Sequence, residues 1–357
     1  MRPFHSKLIR TLILSVIALV PLVMKAESDT GLQPRAKVPS FTLKDQDATP
    51  QTLQSLSGPN GLLLIFNRSA DWCPFCKSQL IDLESARRHF EAKGIHVASI
   101  TYDSPQVLKA FATRRGLHYP LLSDPDSAII DAFGIRNREA TGYEAGIAVP
   151  NYYLIAPDGT IRQRIAETQL LDRVTGNYVY ELLFGSGTAE PSRTAIVPST
   201  PHLKVTLAQS DLSSAPGART RLTVRVDLPK NSHLYAPGAE TFGYHPIRLT
   251  LEPSDLYQAD SAVYPQSTIV KFAKLDEKVP VFETSTAIAQ DIHAIRGPKT
   301  NAQFREHPDL TIHGTLEYQV CTNTTCFAPE KKPVVWTLHV APDDLDTVRV
   351  AEDLRRK

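Results

Sequence analysis

The sequence predicts an α/β fold followed by an all-β fold, and the two halves differ in their hydrophobic patterns. In the first half, continuous apolar runs alternate with helical periodicities, as in a mostly parallel sheet covered by helices. In the second half, short segments alternate apolar and polar residues between turn residues, which is typical of a β-sandwich. Residues 185–201 are rich in Gly, Ser, Thr and Pro without periodicity, so we predict a linker there.

Strands and helices alternate through the first half. A buried strand precedes a helix that ends near Gly94, and Ser104 caps the following helix with Pro105 at its first position. The segment "PDG" is predicted to be a turn between two strands. The predicted elements are the strands at 62–68 and 95–103, the helices at 77–94 and 105–116, the strand pair at 151–165 and a closing helix at 170–185.

The second half contains short alternating strands and no long helix between Pro201 and Ala341. Trp336 alternates with apolar neighbours and is expected in the core. Residues 343–357 form a charged tail. The predicted strands are LKVTLAQ (203–209), RLTVRVDL (221–228), IRLTLEP (247–253), TLEYQVC (315–321) and PVVWTLHVA (333–341).

Composition excludes several classes of protein. The chain has 357 residues, 42% hydrophobic and 22% charged, and a formal net charge of +1, so we expect a globular protein that does not bind nucleic acid. Residues 1–26 combine basic residues with a 14-residue apolar run, which indicates a signal peptide or an uncleaved anchor. We therefore expect an exported protein, either periplasmic or anchored facing the periplasm.

The segment "DWCPFCKSQL" places Cys73 and Cys76 at the predicted start of a helix, behind a strand. There the helix dipole and free amide groups favour a thiolate, so we expect an exposed nucleophile at Cys73 and a sheltered resolving thiol at Cys76. A structural disulfide would close only a four-residue ring and constrain little of the unfolded chain. Zinc would need two more nearby ligands. We favour redox chemistry over both, with no metal and no cofactor.

Residues 35–184 resemble the thioredoxin-like redoxins of the AhpC/TSA type. The resemblance rests on "DWCPFC", "LLSDPDSAIIDAFGI" and "GIAVPNYYLIAPDGTIR". It implies a thioredoxin-like fold in which Trp72 and Pro74 support the cysteine pair. It also implies a cis peptide bond at Pro150, packed opposite Cys73, with Val149 offering backbone groups to a substrate chain. A trans bond there would count strongly against this fold.

Two departures from these families concern catalysis. Phe66 and Ala70 stand where peroxiredoxins carry Pro and Thr, so the usual peroxide-binding pocket is missing. Asn67 stands where thioredoxins carry a buried Asp, and an amide cannot accept the proton of the resolving thiol. Asp71 or a water molecule would have to do so.

Cys321 and Cys326 flank the polar segment "TNTT", which predicts a hairpin loop with the cysteines close enough to bond. A static disulfide there remains an alternative. Residues 202–342 resemble the N-terminal periplasmic domain of the DsbD thiol:disulfide interchange protein, through Tyr318, Gln319, Cys321, Cys326, Phe327 and Pro329. The resemblance implies an immunoglobulin-like sandwich and a pair that relays electrons between redox proteins. Phe282 is a candidate for the aromatic cap of that family.

These observations predict an exported thiol:disulfide oxidoreductase. Its partners would be protein thiols and disulfides, together with a membrane-embedded reductase or a periplasmic thioredoxin. A thiol peroxidase that forms a sulfenic acid on Cys73 is the first alternative. The second is a sandwich that only binds envelope proteins and carries an incidental disulfide.

Overall fold

The computed structural model describes residues 31–167, 173–185, 196–200, 202–272, 277–322 and 324–347, with side chains omitted for 196–200. The predicted signal segment, 1–26, lies outside the described residues. So does the end of the charged tail. Within the described part of the chain, no helix is long and apolar enough to cross a membrane.

A seven-stranded mixed sheet forms the centre of the first half, in the order β2-β1-β5-β4-β3-β6-β7. The inner pairs β3–β4 and β4–β5 are parallel, whereas β6 pairs antiparallel with β3 and β7 pairs antiparallel with β6. The strands are β1 Leu43–Asp45, β2 Pro50–Gln51, β3 Gly61–Phe66, β4 Ile95–Thr101, β5 Leu121–Ser123, β6 Asn151–Ile155 and β7 Ile161–Ala166. The helices are α1 Leu53–Leu56, α2 Pro74–Ala92, α3 Pro105–Arg115, α4 Ala128–Ala132 and α5 Gly176–Phe184, with a 3-10 turn at Gly142–Glu144.

The central strand β3 is buried on both faces, which explains its continuous apolar sequence. Leu63 and Ile65 pack with residues of α2, α3 and α5 in one core. Leu64 and Phe66 lie in a second core with residues of α1 and α4. The cysteine helix α2 therefore follows, after a short loop, a strand that is buried along its whole length.

Two sheets of the second half pack face to face, as a β-sandwich. One has the order β15-β18-β12-β10-β9, with β8 paired to β12, and the other β11-β21-β19-β14. A third, separate sheet has the order β16-β17-β13-β20. The strands are β8 Arg173–Val174, β9 Ile196–Thr200, β10 Leu203–Gln209, β11 Ser213–Ser214, β12 Ala218–Asp227, β13 Ser232–Tyr235, β14 Arg248–Leu251, β15 Tyr257–Ala259, β16 Thr268–Phe272, β17 Glu277–Phe282, β18 Thr286–Ala294, β19 Asp309–Tyr318, β20 Val320–Thr322 and β21 Glu330–Val340.

The sandwich core confirms the alternation of the predicted strands. Side chains of both main sheets share one apolar cluster, which includes Trp336, whose Nε1 donates to the carbonyl of Ala208 at 3.0 Å. Two local features differ from the sequence prediction. Residues 196–200 of the predicted linker form β9, which pairs with β10, and a nine-residue helix, α6 (Pro298–Glu306), follows β18. A 3-10 turn spans Ala239–Phe242.

The two halves are joined by main-chain and side-chain contacts. Strand β8, which precedes α5, pairs in parallel with the start of β12, so the first half adds a strand to the sandwich. The Tyr178 hydroxyl donates to Asp291 at 2.6 Å, and Thr175 donates to the buried Asp211 at 2.6 Å. The start of the charged tail also contacts the first half, because Asp344 accepts a hydrogen bond from Arg115 at 2.7 Å.

The second cysteine pair lies at the opposite end of the sandwich from these contacts. The contacts gather at the start of β12 and beyond the end of β21, where Asp309 of β19 pairs with His339. Cys321 follows the other end of β19 and pairs with His233, which comes after the end of β12. Since β19 has ten residues, the two ends are roughly 30 Å apart.

Candidate active site

Cys73 and Cys76 form a disulfide on the first turn of α2. Cys73 is the N-cap residue, and its Sγ accepts a hydrogen bond from the backbone N–H of Cys76 at 3.2 Å. Pro74 occupies the first helical position, where its missing N–H costs no hydrogen bond. A negative charge on Cys73 would thus face free amide groups and the positive end of the helix dipole.

Arg68 is a second group that contacts the Cys73 sulfur. It comes from the loop after β3, and its Nη2 lies 3.3 Å from Cys73 Sγ. Burial, together with the charge of Arg173, lowers the pKa of Arg68 to about 10, so the guanidinium stays charged at neutral pH. A buried cation at this distance stabilises a thiolate more strongly than the helix dipole alone.

Both cysteines of the motif are buried, with 0% of Cys73 and 0% of Cys76 exposed. The prediction of an exposed nucleophile at Cys73 is therefore wrong for this arrangement of the chain. Arg68 contacts the Cys73 sulfur and lies over the rings of Trp72 and Phe75, and Arg296 of the sandwich lies 4.1 Å from the Phe75 ring centroid. Of these groups, Arg296 comes from a distant part of the sequence.

The loop before the cysteines is held by the buried Asp103. This carboxylate accepts hydrogen bonds from the backbone N–H of Ala70 at 2.6 Å and from the hydroxyls of Ser69 and Thr101 at 2.8 and 2.9 Å. Burial raises its pKa to about 6, although these hydrogen bonds oppose the rise. Asp103 therefore fixes the backbone that carries Arg68 and Cys73.

Trp72 is fixed by a hydrogen bond and an aromatic contact. Its Nε1 donates to the Tyr102 hydroxyl at 2.7 Å, and that hydroxyl donates to the carbonyl of Tyr143 at 2.9 Å. The Tyr143 ring packs edge-on against Trp72, with 49% of Tyr143 exposed. An exposed aromatic side chain thus lies beside the cysteine motif.

The Val149–Pro150 peptide bond is trans, because the described residues contain no cis peptide bond. The predicted cis bond is wrong, and so is its use as a criterion for the fold. The surrounding hydrogen bonds fit the trans form: the Val149 N–H donates to Ile135, its carbonyl accepts from Asn151, and the Pro150 carbonyl accepts from Glu167. Val149 consequently has no free N–H for a substrate chain. Trans is also the preferred X–Pro isomer by about 0.5–1 kcal/mol.

Asn67 occupies the position of the proton acceptor of thioredoxins, and Asp71 is a candidate acceptor of the Cys76 proton; both are buried. The side-chain oxygen and nitrogen of Asn67 have no hydrogen-bond partner among the described residues. Asp71 lies in the same loop, and its backbone N–H donates to Ser69 at 3.0 Å. Its role as proton acceptor stays a prediction.

Cys321 and Cys326 form the second disulfide, as the hairpin spacing predicted. Cys321 is fully buried whereas Cys326 is exposed, and the Tyr235 hydroxyl lies 3.6 Å from each sulfur. Tyr235 stacks on Tyr244 with ring centroids 4.3 Å apart. The cap candidate Phe282 is wrong, because it packs in the main sandwich core while Tyr235 and Cys321 share a separate cluster.

Within the described ranges, no group of three or more His, Cys, Asp or Glu side chains is placed to hold a metal ion. Both cysteine pairs are disulfides in this structure, so neither offers thiolate ligands.

Residues 34–164 match the AhpC/TSA family, and residues 202–337 match the N-terminal domain of the thiol:disulfide interchange protein DsbD. The chain belongs to the AhpC/TSA family. Its second half matches the model of the DsbD N-terminal domain, so the combination inferred from the two resemblances is confirmed. Together with the central sheet, the AhpC/TSA match confirms the thioredoxin-like fold despite the trans bond at Pro150.

Relatives of the AhpC/TSA half include both peroxide and disulfide enzymes. Alkyl hydroperoxide reductase E of Mycobacterium tuberculosis is 33% identical over 129 residues, which is 36% of this chain and 80% of that protein. The thiol-disulfide oxidoreductase ResA of Oceanobacillus iheyensis is 23% identical over 175 residues, 48% of this chain and 85% of that protein. The solved structure of Enterococcus faecalis AhpC covers 46% of this chain and 98% of its own, at 20% identity and a TM-score of 0.38. The family match and the two curated relatives thus identify this AhpC/TSA protein as an oxidoreductase.

Two residues of the site, Arg68 and Arg296, were missed in the sequence. Arg68 and Lys77 flank the motif, and a cation on each side of two cysteines was a usable signal for a stabilised thiolate. Arg296 lies 220 residues from Cys76 in sequence, and nothing in its neighbourhood indicates that it meets Phe75. Only the packing of the sandwich against α2 reveals that contact.

Proposed function

We propose that this AhpC/TSA protein is an exported thiol:disulfide oxidoreductase in which Cys73 is the nucleophile and Cys76 the resolving thiol. The thiolate of Cys73 attacks a disulfide of another protein, forms a mixed disulfide and releases one thiolate of the substrate. Cys76 then attacks the Cys73 sulfur, which releases the second thiol and leaves Cys73–Cys76 oxidised. The substrate gains two electrons, and the enzyme's dithiol supplies them.

The observation that carries this proposal is the contact between Arg68 and the Cys73 sulfur at the start of α2. Two donors, Arg68 Nη2 and the Cys76 N–H, lie 3.3 and 3.2 Å from this sulfur. Both stabilise an anion on Cys73. Cys76 lies on the same first turn of α2, where it can displace the substrate, so attack and release use one short segment.

Burial of Cys73 sets a condition on this activity. With 0% of its surface exposed, Cys73 cannot reach a protein disulfide in this arrangement of the chain. We therefore propose that the first module (35–184) and the sandwich (202–342) separate, at least near Phe75, when a protein substrate binds. The residues between the modules would act as the connecting segment.

The second pair, we propose, exchanges electrons between molecules rather than within one chain. Cys326 is exposed, but the pair lies roughly 30 Å from the docking end of the sandwich. Its partners would be a periplasmic thioredoxin, a membrane-embedded reductase or the Cys73–Cys76 pair of another copy. The DsbD N-terminal domain supports this assignment, and it supports a protein that faces the periplasm.

The test is reduction of insulin by two single-site variants and by a mixture of two double variants. Cys73→Ser should abolish turnover, and Cys76→Ser should accumulate a mixed disulfide at Cys73 that non-reducing electrophoresis resolves. Full exchange activity in Cys73→Ser would overturn the assignment of the nucleophile. A mixture of Cys73→Ser/Cys76→Ser with Cys321→Ser/Cys326→Ser tests exchange between molecules, since its rate should rise with concentration. If the mixture reduces insulin no faster than the two double variants do separately, the second pair is a static disulfide.

Peroxide reduction is the second candidate, because a buried sulfur beside an arginine admits a small oxidant without any separation of the modules. In that reaction the Cys73 thiolate breaks the peroxide O–O bond, takes one oxygen as a sulfenic acid and releases the other as water or an alcohol. Cys76 then attacks the sulfenic acid and displaces water to form the disulfide. Phe66 and Ala70 replace the residues of the usual peroxide pocket, which argues against high efficiency. Stopped-flow measurement of peroxide consumption distinguishes the two candidate functions. Fast turnover at micromolar peroxide would favour the peroxidase over the disulfide oxidoreductase.

A further inference from the structure

The Arg68 side chain is positioned by aromatic rings rather than by a carboxylate. Among the described residues, its one hydrogen bond goes to Cys73 Sγ, and it forms no ion pair. Its guanidinium carbon lies 5.6 Å from the Trp72 ring centroid and 5.9 Å from that of Phe75. The direction in which Arg68 points therefore depends on where these two rings lie.

The ring of Phe75 is held from its other side by the sandwich. The Arg296 guanidinium carbon lies 4.1 Å from its centroid, which is within cation–π distance. Arg296 is itself anchored, because it donates to the Asp343 carboxylate and to the carbonyl of Pro216. Its side chain is only 15% exposed, so a docked sandwich fixes Phe75 in one place.

We propose that Arg296 is a positioning residue of the redox site, through which the docked sandwich holds Phe75 and Arg68 so that Arg68 stabilises the Cys73 thiolate. The inference rests on the proposed role of Cys73 as nucleophile. Docking would then both cover the sulfur and prepare it for reaction.

The charge of Arg296 itself should stabilise the Cys73 thiolate less than this positioning does, because the ion pair with Asp343 neutralises that charge. Other charges near Arg68 also occur in opposite pairs, since Arg173 binds Glu167. The charged groups around this part of the site are Arg68, Arg173, Arg296, Asp71, Glu144, Glu167 and Asp343.

The experiment measures the pH profile of Cys73 alkylation in the full chain, reduced and in a Cys76→Ser background, by mass spectrometry of the Cys73 peptide. The midpoint of the profile reports ionisation, whereas its plateau reports access to the sulfur. In Arg296→Met we expect the midpoint to rise by about half a pH unit, a loss of roughly threefold in thiolate below the midpoint. Arg296→Lys keeps a cation over Phe75 and should restore most of the midpoint.

Tyr178→Phe is the matched control, because it removes a contact between the modules without touching the motif. It should leave the midpoint unchanged, even if the plateau rises. An Arg296→Met profile with a higher plateau and an unmoved midpoint would overturn the inference, since Arg296 would then only cover the site. A wild-type midpoint near that of an ordinary thiol, about 8.5, would instead count against the proposed function itself.

Discussion

Lys77 and Asp344 form an ion pair in which both side chains are nearly buried, at 1% and 2% exposed. Lys77 directly follows Cys76, and Asp344 comes from the start of the charged tail. Arg114 and Arg115 donate to the same carboxylate. Burial opposes the charged form of Asp344, but the hydrogen bond of Arg115 and the charges of Lys77 and Arg115 prevail and lower its pKa to about 2. The tail is thus tied to the helix that carries the redox motif.

Asp344→Asn is expected to destabilise the protein by roughly 3 kcal/mol, because it leaves the buried Lys77 ammonium without its counter-charge. Urea unfolding measures the loss. In the same variant, Cys73 should be alkylated faster at every pH, since the tail helps to hold the sandwich in place. Glu317→Gln is the control, because the Lys331–Glu317 pair is exposed and such pairs contribute less than about 1 kcal/mol. Equal losses for the two variants would contradict the prediction.

Arg68→Met should raise the midpoint pH of Cys73 alkylation by about one unit or more, because it removes the cation nearest to the sulfur. Arg68→Lys should raise it less, since an ammonium group preserves the charge. The measurement is the same pH profile, with reduction of insulin at pH 7 as a second readout. Arg162→Met, at an exposed arginine that donates to Asn60, should leave both unchanged. An unshifted midpoint in Arg68→Met would show that the helix start alone ionises Cys73.

Glu181→Gln should change how stability depends on pH. Burial raises the pKa of Glu181 to about 7; Asp211 and Asp291 add to the rise, and Arg221 opposes it. A raised carboxyl pKa favours the protonated folded state, so wild-type stability should fall as pH rises from about 4.5 to about 7 and then level off. Glutamine does not ionise, so the variant avoids the cost of a buried carboxylate. Its free energy of unfolding should rise by roughly 2–3 kcal/mol relative to wild type between pH 4 and pH 8.

Urea unfolding at several pH values checks the Glu181 prediction. Asp131→Asn serves as its control, because the pKa of this exposed carboxyl is lowered by Arg136 and its stabilisation is already complete above pH 4. A wild type and a Glu181→Gln variant with parallel pH curves would refute the raised pKa.

Replacing both Cys321 and Cys326 by Ser is expected to destabilise the sandwich by about 2 kcal/mol, the value for a short closed loop. Cys73 alkylation should keep its profile, because this pair lies at the far end of the sandwich. Thermal unfolding and the Cys73 profile together provide the test. A shifted Cys73 profile in this variant would mean that the two pairs communicate within one chain.

Much of the fold followed from local patterns. The buried strand β3, the helix after the cysteines and the hairpin at "PDG" were predicted because hydrophobic periodicity and turn residues act over a few residues. Strand β9 was missed because its pairing with β10 depends on a partner and not on its own alternation. Helix α6 was missed because nine residues between strands give too short a periodic signal.

The candidate site likewise combines features that local sequence predicts with features that only the tertiary structure sets. Cys73, Cys76, Trp72 and Pro74 form one contiguous motif, whose spacing within a helical turn is a local property, so the sequence by itself determined the Cys73–Cys76 pairing; its redox chemistry stays a prediction. The burial of Cys73, the trans bond at Pro150 and the contact of Arg296 with Phe75 were decided by tertiary structure alone. The physical reason is that exposure and charge environment depend on groups brought together from distant parts of the chain, and no local pattern specifies which groups these are.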